Sequence, residues 1–439
     1  MSPTFRPLRV ALFTDAYTPQ INGVVTSVVN LKRGLEEMGH IVTIVAPKHP
    51  QQKPETDVIR LRSTTYRPQP EQRYAFPPSL HKILEFRRRK FDIIHTHGLV
   101  MPIVGLGIGR LLGVPVVMTY HTRFRDYVHY APFYATMSWL MNDNRWYVRG
   151  SRLRTRVSRN VVSTFEHRTQ ALASRVDQWV CNRNLEIISP ASPMADELVE
   201  MGVQTPISVV PNGINLEQLT QPRADPFPQH NIPDGVKRLL HVSRIGKEKS
   251  IDLLLERFRI VHSAMPETHL ILLGDGPERS NLEKYAKKLG LEQAITFTGY
   301  VANADVGAYY QHAHLFVFAS VSETQGMVAL EASACGCPVV ARAEMGIVSC
   351  VLDGQTGFLV DPADAAAYAV RVLELLQDEP KRQLFSAAAK AFAFVEGSHT
   401  TMTKRILEVY QRAIGTSKGW ADLSLTDVLG TARQELSGD

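Results

Sequence analysis

Residues 9–46 read RVALFTDAYTPQINGVVTSVVNLKRGLEEMGHIVTIVA, and their pattern indicates the fold class. Arg9–Phe13 is a short, mainly apolar run, which is typical of a strand buried on both faces of a sheet. After a loop, the apolar residues of Val24–Met38 recur every three or four positions, which predicts an amphipathic helix. Ile41–Ala46 is a second buried run. A strand, a helix and a further strand in this order predict an α/β unit with a parallel sheet.

The same alternation continues along the chain. Asp92–His97 and Val114–Tyr120 are further strand-like runs of the first series. A second series begins at Arg238, and in it strand-like runs alternate with helical patterns at Ile251–Met265 and Arg279–Leu289. The strand-like runs of this series are Leu239–Val242, Leu270–Leu273, Ile295–Phe297, Leu315–Ala319 and Pro338–Ala341. The sequence therefore predicts two doubly wound α/β domains.

Proline marks the expected boundary between the two series. Thr220–Asp234 contains four prolines in fifteen residues, a composition that suits a linker. We predict an N-terminal domain at 1–219, a linker at 220–235 and a C-terminal domain at 236–398. A helix and tail at 399–439 are expected to pack back on the N-terminal domain.

Length and composition exclude several classes of protein. A chain of 439 residues is too long for one hydrophobic core, and 44% hydrophobic with 21% charged residues excludes collagen-like and wholly disordered proteins. The net charge of +6 favours an anionic partner, which leaves nucleotides, nucleic acids and lipid surfaces open. Four scattered cysteines do not form a disulfide framework and fit a reducing cytoplasm. We find no signal peptide and no apolar run long enough to span a membrane, so we expect a protein that is soluble or held at a membrane surface.

The positive charge is concentrated in one segment. Residues 123–183 hold eleven arginines, no lysine and four acidic residues, interleaved with tyrosine, tryptophan and phenylalanine. Such a mixture is found where proteins meet anionic lipid headgroups, and it is also compatible with a solvated helical face beside a core.

Two loops place anion-binding groups at strand ends. Asn22 and Gly23 directly precede a helix, where backbone N–H groups and the helix dipole favour a phosphate, although Asn-Gly is also an ordinary turn. Arg244 and Lys249 follow the first strand of the second series, where two cations can hold a diphosphate and stabilise it as it leaves. The alternative is a charged loop that is simply solvated.

Glycines and carboxylates follow the later strands of the second series. Gly274 lies between a strand and a helix, so the backbone there can approach a ligand closely. Glu323 follows another strand, and Glu331 lies in the next helix; two such carboxylates can accept hydrogen bonds from the vicinal hydroxyls of a sugar and of a ribose. Gly326, near the start of that helix, would allow the backbone to approach a phosphate.

Histidines end two strands of the first series. His95 and His97 could share a face and bind a metal, but we find no third ligand at a suitable spacing, and buried histidines with backbone partners are more common. We therefore predict no metal site. His121 ends the next strand and is better placed to act as a hydrogen-bonding group in a ligand site.

Taken together, these residues resemble glycosyltransferase family 4, whose members are retaining nucleotide-sugar enzymes. The resemblance extends from Arg9 to about Gly415 and implies the GT-B fold, in which two Rossmann-like α/β domains face each other with the donor site in the cleft between them. Its most specific element is the pair Glu323 and Glu331, which are separated by seven residues. The supporting motifs are Ala332–Pro338, Arg244 with Lys249, Asn22-Gly23, Pro211–Asn215 and Gly354–Val360.

The resemblance implies a role for each matching residue. Arg244 and Lys249 would grip the donor diphosphate, Glu331 would accept hydrogen bonds from the ribose, and Glu323 would approach the donor sugar. His121 would lie near the anomeric carbon. Further donor contacts would come from Asn22, Gly23, Gly274, Gly326, Met327 and Val328, and acceptor contacts from Asp126 and Tyr127. Such enzymes are usually metal-independent, so no cofactor is expected besides the nucleotide-sugar substrate.

Within the family, Thr14–Pro19, Tyr120–Tyr130 and Ser322–Gly326 look like the bacterial diacylglycerol glucosyltransferases and their sulfoquinovosyl relatives. We therefore predict a cytoplasmic enzyme, associated with the inner face of the membrane, that moves a hexose from a nucleotide diphosphate sugar to a diacylglycerol-type lipid with retention, with glucose as the favoured hexose and UDP as the favoured nucleotide. One alternative is transfer to a soluble glycan or small molecule. Another is a basic protein that binds membranes or nucleic acid and retains the fold without the activity, although no nucleic-acid module is recognised. The segment Ala343–Gly346 departs from the family by lacking a usual glycine pair, and the sequence leaves the oligomeric state open.

Overall fold

The computed structural model describes residues 6–20, 22–66, 69–121, 123, 171–232, 235–321 and 323–417. The chain forms two compact units. Unit 1 consists of the described parts of Met1–Ser189, Ala195–Val209 and Ile406–Asp439, and unit 2 consists of Pro190–Met194 and Val210–Arg405.

Unit 1 is built on a parallel sheet of seven strands. Along the sheet the strands follow the order β3-β2-β1-β6-β7-β8-β9. They are β1 (Arg9–Thr14), β2 (Ile41–Pro47), β3 (Val58–Leu61), β6 (Ile93–His97), β7 (Val116–Thr119), β8 (Glu186–Ser189) and β9 (Ile207–Val209). The strands β4 (Ser63–Tyr66) and β5 (Gln69–Ala75) form a separate antiparallel pair. Val10–Phe13 are completely buried, as expected for a strand covered on both faces.

Up to residue 200, the named helices of the described ranges are α1 (Gly23–Glu37), α2 (Leu80–Arg89), α3 (Met101–Leu112) and α4 (Ser192–Glu200). Residues 171–181 are also helical. In α1 the apolar residues Val28, Leu31 and Leu35 are buried at spacings of three and four, which is why this segment forms a helix against the sheet.

Unit 2 is built on a second parallel sheet, with the strand order β12-β11-β10-β13-β14-β15. The strands are β10 (Lys237–Val242), β11 (Thr268–Leu273), β12 (Ile295–Gly299), β13 (Leu315–Phe318), β14 (Val339–Arg342) and β15 (Gly357–Val360). Its helices are α5 (Leu216–Thr220), α6 (Ile251–Ala264), α7 (Arg279–Lys288), α8 (Val306–His312), α9 (Met327–Ala334), α10 (Ala365–Gln377) and α11 (Glu379–Glu396). The last helix of the chain, α12 (His399–Thr416), begins in unit 2 and belongs to unit 1 from Ile406 onward.

Both sheets are doubly wound, which confirms the predicted fold class. In unit 1 the direction of winding reverses between β1 and β6, which are paired neighbours. In unit 2 it reverses between β10 and β13. Ligands of open α/β sheets bind beyond the carboxyl ends of the strands at this reversal point. Each unit therefore has one place where the fold itself favours a binding site.

The proline-rich segment requires a correction. The described residues 220–232 belong to unit 2, and the boundary lies instead between Val209 and Val210. Phe227 is completely buried, with the Arg238 guanidinium 4.7 Å from its ring centroid. Arg238 also forms an ion pair with Asp225 at 2.6 Å. Proline content alone cannot distinguish a free linker from a turn that is anchored to a core by one aromatic side chain.

The C-terminal helix is anchored in unit 1 by two polar contacts. The Tyr410 hydroxyl lies 2.8 Å from His95 Nδ1, and the Arg412 guanidinium donates to the Glu186 carboxylate at 2.6 Å. Among the helices in the described ranges, none is both long enough and apolar enough to cross a bilayer.

Candidate active site

In unit 2, the loops after β10 and β13 bring a cation and a carboxylate together. Lys249, in the loop after β10, donates from Nζ to Glu323 Oε1 at 2.5 Å. Glu323 lies in the loop after β13, and the two side chains are only 21% and 19% exposed. The contact spans the reversal point of the sheet, because β10 and β13 are paired neighbours. Two residues predicted to bind the donor are thus adjacent in the folded chain.

Arg244 lies in the same loop as Lys249 and is more exposed. Its guanidinium donates to Glu248 Oε1 at 2.7 Å. Burial alone would raise the pKa of Glu248, but the bond from Arg244 holds that pKa below its ordinary value. Glu248 was not predicted as a site residue. Its position four residues after Arg244 was the available signal, since that spacing often pairs opposite charges.

The two glycines of unit 2 that were predicted as site residues have clear structural roles. Gly326 has a φ of +87°, and a Cβ there would lie 2.6 Å from Cδ1 of Ile347. Gly274 has a φ of +132°, and a Cβ there would lie 2.0 Å from the carbonyl oxygen of Ser243. The positive φ thus favours glycine at both positions, and at Gly274 the backbone contact leaves no room for a side chain. Gly326 directly precedes α9, so the N–H groups of Met327 and Val328 belong to the first turn of that helix.

Glu331 lies in α9. The hydroxyl of Tyr310, in α8, donates a hydrogen bond to its Oε2 at 3.0 Å. Burial raises the pKa of Glu331 to about 7, although the bond from Tyr310 opposes this shift. Near neutral pH this carboxyl group is therefore divided between its protonated and ionised forms. When ionised, it can accept hydrogen bonds from two vicinal hydroxyls.

In unit 1, one of the free backbone N–H groups at the start of α1 is already hydrogen-bonded within the chain. Asn22 Oδ1 accepts a hydrogen bond from Val25 N at 3.0 Å, so this side chain caps the helix. A Cβ added at Gly23 would meet no described atom within 4 Å. The glycine is thus not required by local packing, and the open space beside it is compatible with a ligand.

Asp15 was not predicted as a site residue, and it occupies the reversal point of unit 1. Its carboxylate accepts hydrogen bonds from the backbone N–H groups of Leu99, Val100 and Met101, at 2.9 Å for the last two. Burial raises the pKa of Asp15, and these three bonds oppose that shift. The free N–H groups at the start of α3 are therefore bonded to a carboxylate of the chain itself. The position of Asp15 directly after β1 was the feature of the sequence that could have indicated this role.

His121 follows β7 and is held by a neighbouring histidine. His121 Nε2 lies 2.9 Å from His97 Nδ1, and the two rings are stacked. His95 bonds instead to Thr119 and Tyr410. The sequence placed His95 and His97 together but did not join His97 to His121, because that contact depends on the pairing of β6 with β7.

Some predictions fall on parts of the chain that are not described. Asp126 and Tyr127 lie outside the described residues, as does most of the basic segment 123–183. Arg123, which is described, forms an ion pair with Glu197 at 3.2 Å. Within the described ranges, no group of three or more histidine, cysteine, aspartate or glutamate side chains is arranged to hold a metal ion.

Comparison with known proteins places this geometry in a family. The chain matches the model of Glycosyltransferase Family 4 over residues 21–218 and that of Glycosyl transferases group 1 over residues 223–392. It is 31% identical over 435 residues to the alpha-monoglucosyldiacylglycerol synthase of Streptococcus pneumoniae, a match that covers 96% of this chain and 90% of that protein. The chain belongs to glycosyltransferase family 4. This confirms the resemblance deduced from the motifs.

Other similar proteins agree with this assignment. Sulfoquinovosyl transferase SQD2 of Arabidopsis thaliana is 29% identical to this family 4 chain over 426 residues, covering 93% of the chain and 74% of the plant protein. The crystal structure of Anabaena HepE in complex with UDP and glucose superposes with a TM-score of 0.69 at 17% identity, covering 92% of this chain and all of HepE. The family and the fold together identify the chain as a glycosyltransferase with the GT-B fold.

Proposed function

We propose that this glycosyltransferase transfers glucose from UDP-glucose to the hydroxyl of a diacylglycerol-type lipid, with retention and without a metal ion. The acceptor is supported by two relatives named alpha-monoglucosyldiacylglycerol synthase, each 31% identical. The donor is supported by the HepE complexes with UDP and with UDP-glucose, which share the fold. The enzyme would need no cofactor besides its nucleotide-sugar substrate.

The observation that carries the proposal is the contact between Lys249 and Glu323 at the reversal point of unit 2. Beside it, Arg244 supplies a second cation in the same loop. Two cations at strand ends can stabilise the negative charge that develops on a departing diphosphate, which is the task that a divalent ion performs in other transferases. A carboxylate next to them can accept hydrogen bonds from donor-sugar hydroxyls.

Retention would follow from attack on the same face of the sugar that the diphosphate leaves. In this mechanism the bond between the anomeric carbon and the diphosphate oxygen breaks, and a bond to the lipid hydroxyl oxygen forms. The hydroxyl proton passes to an oxygen of the departing diphosphate. We assign no protein nucleophile, and His121 would contact the substrate near the anomeric carbon.

A membrane surface as partner is supported by α2 and the residues that precede it. Phe76, Leu80 and Leu84 are 51%, 73% and 44% exposed. Arg87 and Arg88 are exposed in the last turn of the same helix. Apolar side chains beside arginines are typical of helices that lie in the headgroup region of anionic bilayers. This surface would hold the enzyme at the inner face of the membrane, where a lipid acceptor is available.

The test is transfer of label from a panel of radiolabelled nucleotide sugars to mixed vesicles of diacylglycerol and anionic lipid. We expect label from UDP-glucose in the organic extract, undiminished by EDTA, and an α-linked product by NMR because the donor is α-linked. Label that remains in water while UDP is released would overturn the lipid acceptor and direct the search to soluble glycans. A β-linked product would overturn retention, and loss of transfer with EDTA would overturn metal independence.

A further inference from the structure

Three histidines cluster at the carboxyl ends of β6 and β7 in unit 1. His97 is 1% exposed, and its Nδ1 lies 2.9 Å from Nε2 of His121. His95 packs against His97 with 4.1 Å between the ring centroids. Both nitrogens of His95 are used, since Nε2 lies 2.6 Å from Thr119 Oγ1 and Nδ1 lies 2.8 Å from the Tyr410 hydroxyl. The cluster therefore has two ends, one at Tyr410 and one at His121.

The second ring nitrogen of His97, unlike both nitrogens of His95, has no hydrogen-bond partner among the described residues. This nitrogen, Nε2, is buried. Burial lowers the pKa of His97 well below its ordinary value and that of His121 to about 4. Both rings are thus neutral near pH 7, and each carries one proton. One of the two protons lies in the hydrogen bond between the rings. The ring that supplies this proton determines which nitrogen of the other ring carries the second proton.

Two arrangements are available. If His97 donates from Nδ1, its buried Nε2 is a bare acceptor, and His121 carries its own proton on Nδ1. If His121 donates from Nε2 instead, His97 must carry a proton on its buried Nε2, where no described group accepts it. Buried N–H groups without an acceptor are rarer in proteins than acceptors with an unused lone pair. The first arrangement is therefore favoured.

We propose that His97 is a positioning residue that holds His121 in the Nδ1–H tautomer, so that His121 offers a hydrogen-bond donor to an oxygen of the substrate. The effect on transfer rests on the proposed function, in which His121 contacts the substrate. The tautomer itself does not, because it follows from contacts within unit 1. An N–H in this position can donate to a sugar hydroxyl or to a phosphate oxygen, but not to a group that lacks a lone pair.

The first test measures the tautomer directly in the full-length protein labelled with ¹⁵N-histidine. Two-bond ¹H–¹⁵N correlations distinguish Nδ1–H from Nε2–H rings, and His121→Gln identifies the signals of His121. We expect His121 to be protonated on Nδ1 in the native protein and to populate both tautomers in His97→Leu. A native His121 that is protonated on Nε2 would overturn the proposal whatever the activity.

The second test compares two substitutions of His97. In His97→Asn the side-chain amide can donate from nearly the same place as Nδ1, whereas His97→Leu has no donor. We expect kcat to fall by at least about tenfold in His97→Leu, with donor KM changed much less, and to recover most of the native value in His97→Asn. Equal kcat values for the two variants would show that His97 does not act through its donor.

Tyr410→Phe is the matched control, since it removes a buried hydrogen bond from the other end of the same cluster. It should lower the melting temperature as much as His97→Leu does but leave kcat and the His121 tautomer unchanged. A comparable loss of kcat in Tyr410→Phe would mean that the cluster has only a structural role. His121→Ala tests the proposed function separately: unimpaired transfer in that variant would remove His121 from the reaction without affecting the tautomer result.

Discussion

At the scale of single residues, Lys249 and Glu323 form a mostly buried ion pair at the proposed donor site. Because both side chains are about four-fifths buried, each charge is poorly hydrated and depends on the other. A nucleotide sugar that enters this site would bring its own diphosphate charge to Lys249. Glu323 would then turn to the sugar hydroxyls.

We predict that Glu323→Gln reduces kcat for transfer by about 10²–10³-fold, because the amide keeps the shape but loses the charge that orients the donor sugar. Vesicle binding should be unaffected. Glu374→Gln is the control, since Glu374 is likewise a carboxylate in ion pairs, with Arg371 and Lys381, but lies on α10. Loss of transfer and vesicle binding together would count against separate donor and membrane sites.

The raised pKa of Glu331 leads to a prediction about pH. Only the ionised form accepts two hydrogen bonds from the ribose, and the fraction ionised rises as the pH passes through about 7. Binding of UDP-glucose, measured by calorimetry, should therefore strengthen by up to about tenfold between pH 6 and pH 8. Glu331→Gln should bind more weakly and lose this dependence. Affinity that falls with rising pH would contradict the role of the carboxylate, because the sign would be reversed.

At the scale of an element, α2 has a buried face and an exposed face of different composition. Phe86 is completely buried, and its ring packs against that of Phe13 of β1 at a tilt of 57° with 5.7 Å between the centroids, which fixes the helix against the sheet. Leu80 and Leu84 are four residues apart and so lie on one exposed face of the helix. Residues 80–90 carry five lysines and arginines and one acidic residue. The helix is thus anchored by one aromatic ring and presents a basic, partly apolar face.

We predict that Arg87→Glu together with Arg88→Glu weakens binding to vesicles of anionic lipid by at least about thirtyfold, from about 1 kcal/mol per arginine near such a surface. Flotation or co-sedimentation measures this. The control is Lys287→Glu with Lys288→Glu, which makes the same charge change at the exposed end of α7 in unit 2. Equal weakening by both pairs would mean that only net charge matters, and not the α2 surface.

At the scale of the whole molecule, both units are doubly wound, but they carry different charged side chains at the points where the winding reverses. In unit 1 the start of α3 is filled by Asp15, whereas in unit 2 the corresponding loops contain Arg244, Lys249 and Glu323. Anionic ligands should therefore prefer unit 2. The charge of the reversal point, rather than the fold, separates the roles of the two units.

This difference predicts where UDP alone protects the chain from hydrogen exchange. Bound ligand suppresses local opening of the segments that it contacts. We expect the strongest protection in residues 243–250 and 323–331 of unit 2 and much less at the start of α3 in unit 1. Glu331→Gln should reduce the degree of protection while the same segments remain protected. Protection that is strongest in unit 1 would contradict the assignment of nucleotide binding to unit 2.

Sequence reasoning succeeded where the signal is local. The continuous apolar runs became β1, β2, β6, β7, β10, β11, β12, β13 and β14 within a few residues of their predicted ends. It missed β8 (EIIS) and β9 (ISV), because two isoleucines between polar residues, or a single isoleucine and valine, do not form a continuous apolar run. It also placed a linker at Thr220–Asp234, because the burial of Phe227 is decided by the surface it packs on and not by its neighbours in sequence.

The sequence by itself determined that the chain has two parallel α/β units and that cations, glycines and carboxylates follow particular strands. It also determined the family, because the motifs occur in order along the chain. Only the tertiary structure joined Lys249 to Glu323, which are 74 residues apart, and His97 to His121. The physical reason is that strand ends meet according to the order of strands in the sheet. That order is set by how the whole unit packs, and not by the spacing of any motif.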